Sequence, residues 1–194
     1  NREGYQEDED TSPGRIVKSK LPLPFYNRQY AQWALPMPTI DPEIVMRSAQ
    51  LRDDYGLRFS YKHYLLVEKW WQAPVLVVGA MFVFILAQFR LGRETLEQVI
   101  SPGEGPSEAQ RNNSWFKVNF TAMANGVSVT TRVSGGDPGY SETSKMLAES
   151  ALCLALQRDQ TPPCFGVTTS AAAMGEILIE RLQKANIQFE EVSL

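Results

Sequence analysis

The sequence predicts an α/β fold of α+β character: an antiparallel β layer built around a hairpin, C-terminal helix–strand elements, and one apolar membrane-type helix. Three observations carry this reading. Residues 115–124 and 127–133 alternate apolar with polar on either side of Asn125-Gly126, the dipeptide that favours a two-residue hairpin turn. Helix-period runs at 141–158 and 171–184 are each followed by a short strand pattern, at 165–169 and 187–192. Finally, residues 73–87 contain no charged side chain and no strongly polar one.

Taken from the N-terminus, residues 1–14 are acidic and almost devoid of apolar side chains, the composition of a disordered tail. The segment 15–40 interleaves Pro22, Pro24, Pro36 and Pro38 with Phe25, Tyr26, Tyr30 and Trp33. Such proline density excludes a helix interior and predicts an extended arm lying on a surface. Residues 41–100 form a helical region that opens at Asp41-Pro42-Glu43, an acid-rich start with proline in the first turn. The first helix covers 42–53, with Ile44, Val45, Ala49 and Leu51 inward. Residues 59–70 fit a helix or a strand equally. An apolar helix follows at 73–89, then an amphipathic continuation at 92–100 and a polar loop at 101–113. Residues 114–194 hold the hairpin and the C-terminal α/β region. There, the 141–158 helix presents Met146, Leu147, Ser150, Ala151 and Leu154 as its apolar face, and Asn186 suits a left-handed helix end.

The apolar run is flanked by Trp70 and Trp71 on one side and by Arg90 and Arg93 on the other, in the manner of interfacial anchors. At helical spacing its contact residues are Trp71, Val75, Val78, Phe82, Ile85 and Phe89. A spanning helix needs about 20 residues, so a buried core helix competes with membrane contact, spanning or half-inserted.

The net charge of −3 lacks the basic footprint of a nucleic-acid binder. Two cysteines make no disulfide scaffold, and Cys153 reads as a small core residue. A single histidine, His63, stands in an aromatic run and reads as structural; with two distant cysteines it builds no zinc site, so no metal is expected. The one loop with binding character is 134–140, Ser-Gly-Gly-Asp-Pro-Gly-Tyr, set between a strand and a helix N-terminus. Glycines there admit a close approach, and helix N–H groups attract anions. The spacing departs from the dinucleotide fingerprint, and Asp-Pro-Gly is also an ordinary turn. Gly136, Asp137 and Tyr140 are therefore the candidate substrate-binding residues, and no catalytic residue is assigned.

Residues 133–140, 146–156 (MLAESALCLAL) and 165–189 (FGVTTSAAAMGEILIERLQKANIQF) resemble the C-terminal region of saccharopine dehydrogenase-like oxidoreductases. The resemblance extends more weakly upstream to about residue 15. Thr169-Ser170, Met174 and Asn186 depart from its pattern. It implies a Rossmann-like domain completed by the C-terminal elements, NAD(P) in the complete enzyme, and an upstream nucleotide-binding domain or partner chain. No cofactor site is expected in this chain, which should be inactive by itself. Related oxidoreductases carry an apolar segment here and associate with lipid surfaces, so the resemblance also implies a membrane or lipid-droplet surface as partner, with mitochondrion or lipid droplet as location and an oligomer as a further option. Two functions follow as expectations: the C-terminal part of a membrane-associated oxidoreductase, or a non-catalytic scaffold subunit of a membrane complex.

Overall fold

A computed structural model describes residues 16–19, 23–37, 39–99, 103 and 105–192. The acidic tail expected at 1–14 lies outside them. The fold is mixed α/β, with helices and largely antiparallel sheets.

The arm expected at 15–40 is folded into three short strands, β1 (Ile16–Ser19), β2 (Phe25–Asn27) and β3 (Gln32–Pro36). Asn27 turns the chain between β2 and β3: its side-chain oxygen accepts from the N–H of Gln29 at 3.0 Å and of Tyr30 at 3.3 Å. This local pairing competes with an extended path. Helix α1 (Asp41–Leu51) buries Ser48 and Ala49, whereas Ile44 and Leu51 are exposed. The ambiguous stretch resolves into strands β4 (Arg58–Tyr61) and β5 (Tyr64–Val67). Strand β4 pairs parallel with β1, and β5 completes an antiparallel sheet in the order β2-β3-β5.

The apolar run forms α2 (Gln72–Gln88), apolar around its whole circumference, followed by amphipathic α3 (Arg90–Val99). The expectation of a membrane-type helix is corrected here. Among the described residues no single helix is long and apolar enough to cross a membrane, and the chain bends by 117° between α2 and α3. At about 1.5 Å per residue, α2 alone falls short of the roughly 30 Å hydrocarbon core. The loop expected at 101–113 contains α4 (Glu108–Asn113), whose start is fixed by a reciprocal capping box between Ser107 and Gln110.

The hairpin joins β6 (Phe116–Ala124) to β7 (Val127–Gly135) through Asn125 and Gly126, both at positive φ. Helices α5 (Ser141–Leu156) and α6 (Ser170–Lys184) follow, and β8 (Gln188–Glu191) returns antiparallel to β7, giving the order β6-β7-β8. Asn186 takes the left-handed conformation between α6 and β8. The principal core lies between this sheet and the two helices. Cys153, Ala173, Met174, Leu178, Leu182 and Ile187 are buried there, packed by Phe116, Val133 and Phe189.

Three further expectations change. The inward stripe of α5 runs through Glu142, Met146 and Cys153, while Leu147 and Leu154 are exposed. Arg181 of α6 sets that rotation, donating to Glu149 and to Gln157 at 2.8 Å each. Residues 165–169 form no strand: Gly166 has φ +80, and Phe165 and Val167 point outward. Arg158 holds that loop by donating to the carbonyls of Pro162 and Cys164, with its guanidinium over the Phe165 ring. Helix α6 is broken at Gly175, whose φ of 54 and ψ of −135 lie outside the helical range. Arg52, just past α1, docks beside the break and donates to the Ala171 carbonyl at 2.8 Å. The Ser48 hydroxyl donates to Thr169, which caps α6.

Candidate functional site: the strand-to-helix loop

The loop between β7 and α5 is shaped by contacts that a larger side chain would prevent. A Cβ on Gly135 would stand 2.7 Å from the Phe116 ring, and one on Gly136 would stand 3.1 Å from a Glu142 carboxylate oxygen. The two glycines thus admit an aromatic ring and a carboxylate directly against the backbone. Both neighbours belong to this chain, so the close approach is already used.

The N-terminus of α5 is occupied in the same way. The Asp137 side chain accepts from the N–H of Tyr140 at 2.8 Å and of Ser141 at 2.9 Å. The Asp137 carbonyl accepts from the Glu142 N–H at 2.9 Å. Glu142 reaches back to accept from the Gly136 N–H at 3.3 Å, while its second oxygen pairs with Lys145 at 2.7 Å. Thr143 donates its hydroxyl to the Pro138 carbonyl. The N–H groups that would greet a phosphate are therefore held by two carboxylates.

Asp137 and Glu142 are both buried, each 7% exposed. The Ser141 N–H above all, aided by those of Tyr140 and Gly139, holds the Asp137 carboxyl below the usual carboxylate range, against the opposing effect of burial. A second anion here would meet the Asp137 carboxylate at short range, together with a Glu142 carboxylate already paired with Lys145.

The predicted residues separate in space and role. Gly136 lines an open concavity of about 410 Å³ together with Trp115, Phe116, Lys117, Ser134, Asn186 and Gln188. Asp137 is folded back into the loop as its internal acceptor. Tyr140 is 53% exposed, with its ring against the backbone of Gly105. Glu142, Trp115 and Lys117 were not singled out by the sequence. An acid in the first turn after Gly-Gly was the available signal for Glu142.

The expected lipid-contact residues Trp71, Val75, Val78, Phe82 and Ile85 all lie on or beside α2, with Phe89 just after it, and every one is exposed. His63 accepts or donates a 3.1 Å hydrogen bond with the Tyr61 hydroxyl. Burial, with Asp41 nearby, pushes that phenol above its usual range. Among the described residues no cluster of three metal-ligating side chains occurs.

No family model and no solved structure matches the chain. Curated relatives do. A Mycobacterium tuberculosis protein named as a trans-acting enoyl reductase is 38% identical over 169 residues, which is 81% of this chain and 40% of the relative. A second trans-acting enoyl reductase of Mycobacterium tuberculosis is 32% identical over 194 residues, 95% of this chain and 45% of the relative. A Mycobacterium leprae protein of the same name is 34% identical over 154 residues, 74% of this chain and 37% of the relative. The chain thus spans about two-fifths of the length of the curated relatives it matches. Their names overturn the saccharopine dehydrogenase-like reading, and with it the membrane-associated enzyme of that family. The chain is similar to trans-acting enoyl reductases.

Proposed function

We propose that the chain is part of an enoyl reductase that works in trans, on an enoyl group carried by a separate synthase. The observation that carries this reading is the likeness to relatives of that name, at 38% identity over 81% of the chain. Reduction of an enoyl group draws on a hydride-transfer cofactor, for which a reduced nicotinamide is the expected class. This chain serves the substrate and partner side of the enzyme. Supporting this division, the β7–α5 loop spends its N–H groups on Asp137 and Glu142.

Within that division, the concavity beside Gly136 is the substrate-facing surface. Its lining combines the Trp115 and Phe116 rings with polar groups from Lys117, Ser134 and Gln188, and Lys117 lies 5.7 Å from the Trp115 ring centre. Such a mixture suits a ligand with an apolar body and a polar end. Glu142 holds Gly136 at the rim through the Gly136 N–H, Asp137 is a positioning residue that ties Tyr140 and Ser141 into the loop, and Tyr140 stands at the exposed side.

The test is a fluorescence titration of the purified chain with NADPH and with NADH. The expected result is no saturable binding. Saturable micromolar binding that competes with inorganic pyrophosphate would place the cofactor grip in this chain and overturn the division of labour.

A further inference from the structure

The two edges of the sheet formed by β6, β7 and β8 are unlike. Strand β8 is four residues long and carries Glu190 and Glu191. A short, charged edge resists pairing with another strand. Strand β6 is nine residues long, contains no proline and bears one charge, Lys117, near its start. Among the described residues its outer side pairs with no other strand.

The apolar face of the hairpin is also incompletely covered. The register places Phe116, Val118, Phe120, Ala122 and Ala124 opposite Gly135, Val133, Thr131, Val129 and Val127, all on one face. Helices α5 and α6 cover the end that holds Phe116 and Val133. Towards the turn, Val118, Phe120, Val129 and Val127 are 37–65% exposed.

We propose that β6 is the docking edge for a second copy of this chain, which adds its own β6 antiparallel about a two-fold axis at Phe120. Three features select that occupant. In this register Phe116 faces the partner copy's Ala124, Val118 faces Ala122, and Phe120 faces its own equivalent, so apolar residues meet apolar ones. Lys117 faces Met123, and the two lysines stand roughly 20 Å apart, beyond the screening length. A two-fold axis normal to the sheet also brings each helix layer to the side on which the partner's hairpin is bare. Pairing runs along an edge of about 30 Å, and the exposed Val118, Phe120, Val127 and Val129 beside it add apolar surface towards the roughly 800 Å² per partner of a standard interface.

Light scattering coupled to size exclusion tests this, in mild detergent so that α2 does not itself drive association. The wild-type chain should have twice the monomer mass at protein concentrations up to about 100 µM. Phe120→Lys puts two cations at the axis and should give monomers with an unchanged circular dichroism spectrum. Mixing it with Phe120→Glu should restore the doubled mass, because unlike charges then meet. If Phe120→Lys fails to fold, Ala122→Lys places the charge on the same edge and should give the same monomer. Val83→Arg, within α2, should leave the dimer intact. A wild-type monomer throughout that range overturns the proposal. So does a dimer that survives Phe120→Lys, or one lost with Val83→Arg.

Discussion

Replacing Gly175 with alanine is expected to destabilise the protein, although the residue lies inside a helix. In a regular helix interior the same change stabilises by about 1 kcal/mol, because glycine has more backbone freedom to lose. Here the sign reverses. Gly175 sits at φ 54 and ψ −135, a conformation that a residue with a Cβ adopts only at a cost of about 1–3 kcal/mol. The added methyl would also lie 3.3 Å from Arg52 Nη1 and 3.9 Å from Pro162. The Arg52 tip can shift, but shifting strains its bond to the Ala171 carbonyl, worth about 1 kcal/mol. The net loss is therefore about 2 kcal/mol, or about 4–8 °C in Tm for a chain of this size. Thermal unfolding followed by circular dichroism measures it. A Tm that rises would show α6 to be continuous, and the account of how α1 docks on it would fail.

Two further changes probe the same elements. Thr169→Ala removes the cap of α6 and the partner of the buried Ser48 hydroxyl, so a loss of about 1–2 kcal/mol in urea unfolding is expected; an effect below the error of the measurement would remove Thr169 from that role. Asp137→Asn tests the closed loop through pH. A carboxyl held below its unfolded value contributes stability that is present above the unfolded pKa and is lost as pH falls through the folded one. Between about pH 5 and pH 2 the wild-type urea midpoint should accordingly fall more steeply than that of Asp137→Asn, and parallel slopes would contradict the hydrogen-bonded carboxylate.

The hairpin was legible because Asn125-Gly126 supplies two residues that tolerate positive φ between alternating segments. The left-handed Asn186 and the existence of the apolar helix were legible for similarly local reasons. What escaped depends on distant partners. Residues 165–169 have strand composition, yet Arg158 and Gly166 fold them into a loop. The orientation of α5 is decided by Arg181, 32 residues from its partner Glu149. The break at Gly175 is invisible in a helical pattern, since one glycine there is ordinary. The α4 start is different: Ser107 and Gln110 carry the capping-box signature in the sequence itself, set inside an otherwise polar segment.

The loop between β7 and α5 shows the same division. Its glycines, acid and helix start were plain in the sequence, and they marked Gly136, Asp137 and Tyr140. That Glu142 would fold back onto Gly136, and Asp137 onto the helix N-terminus, follows from the path of the backbone. A loop built to attract an anion has been supplied with its own.

The most direct test of the functional reading is an exchange of segments. In the Mycobacterium tuberculosis trans-acting enoyl reductase that matches 95% of this chain, the matched portion is 45% of its length. That portion is replaced by the present chain, and reduction of an enoyl thioester is followed through the oxidation of NADPH. The account predicts a folded chimera whose turnover stays within about tenfold of the parent, equivalent to about 1.4 kcal/mol of activation free energy. A chimera that folds as the parent does and reduces no enoyl substrate would contradict it.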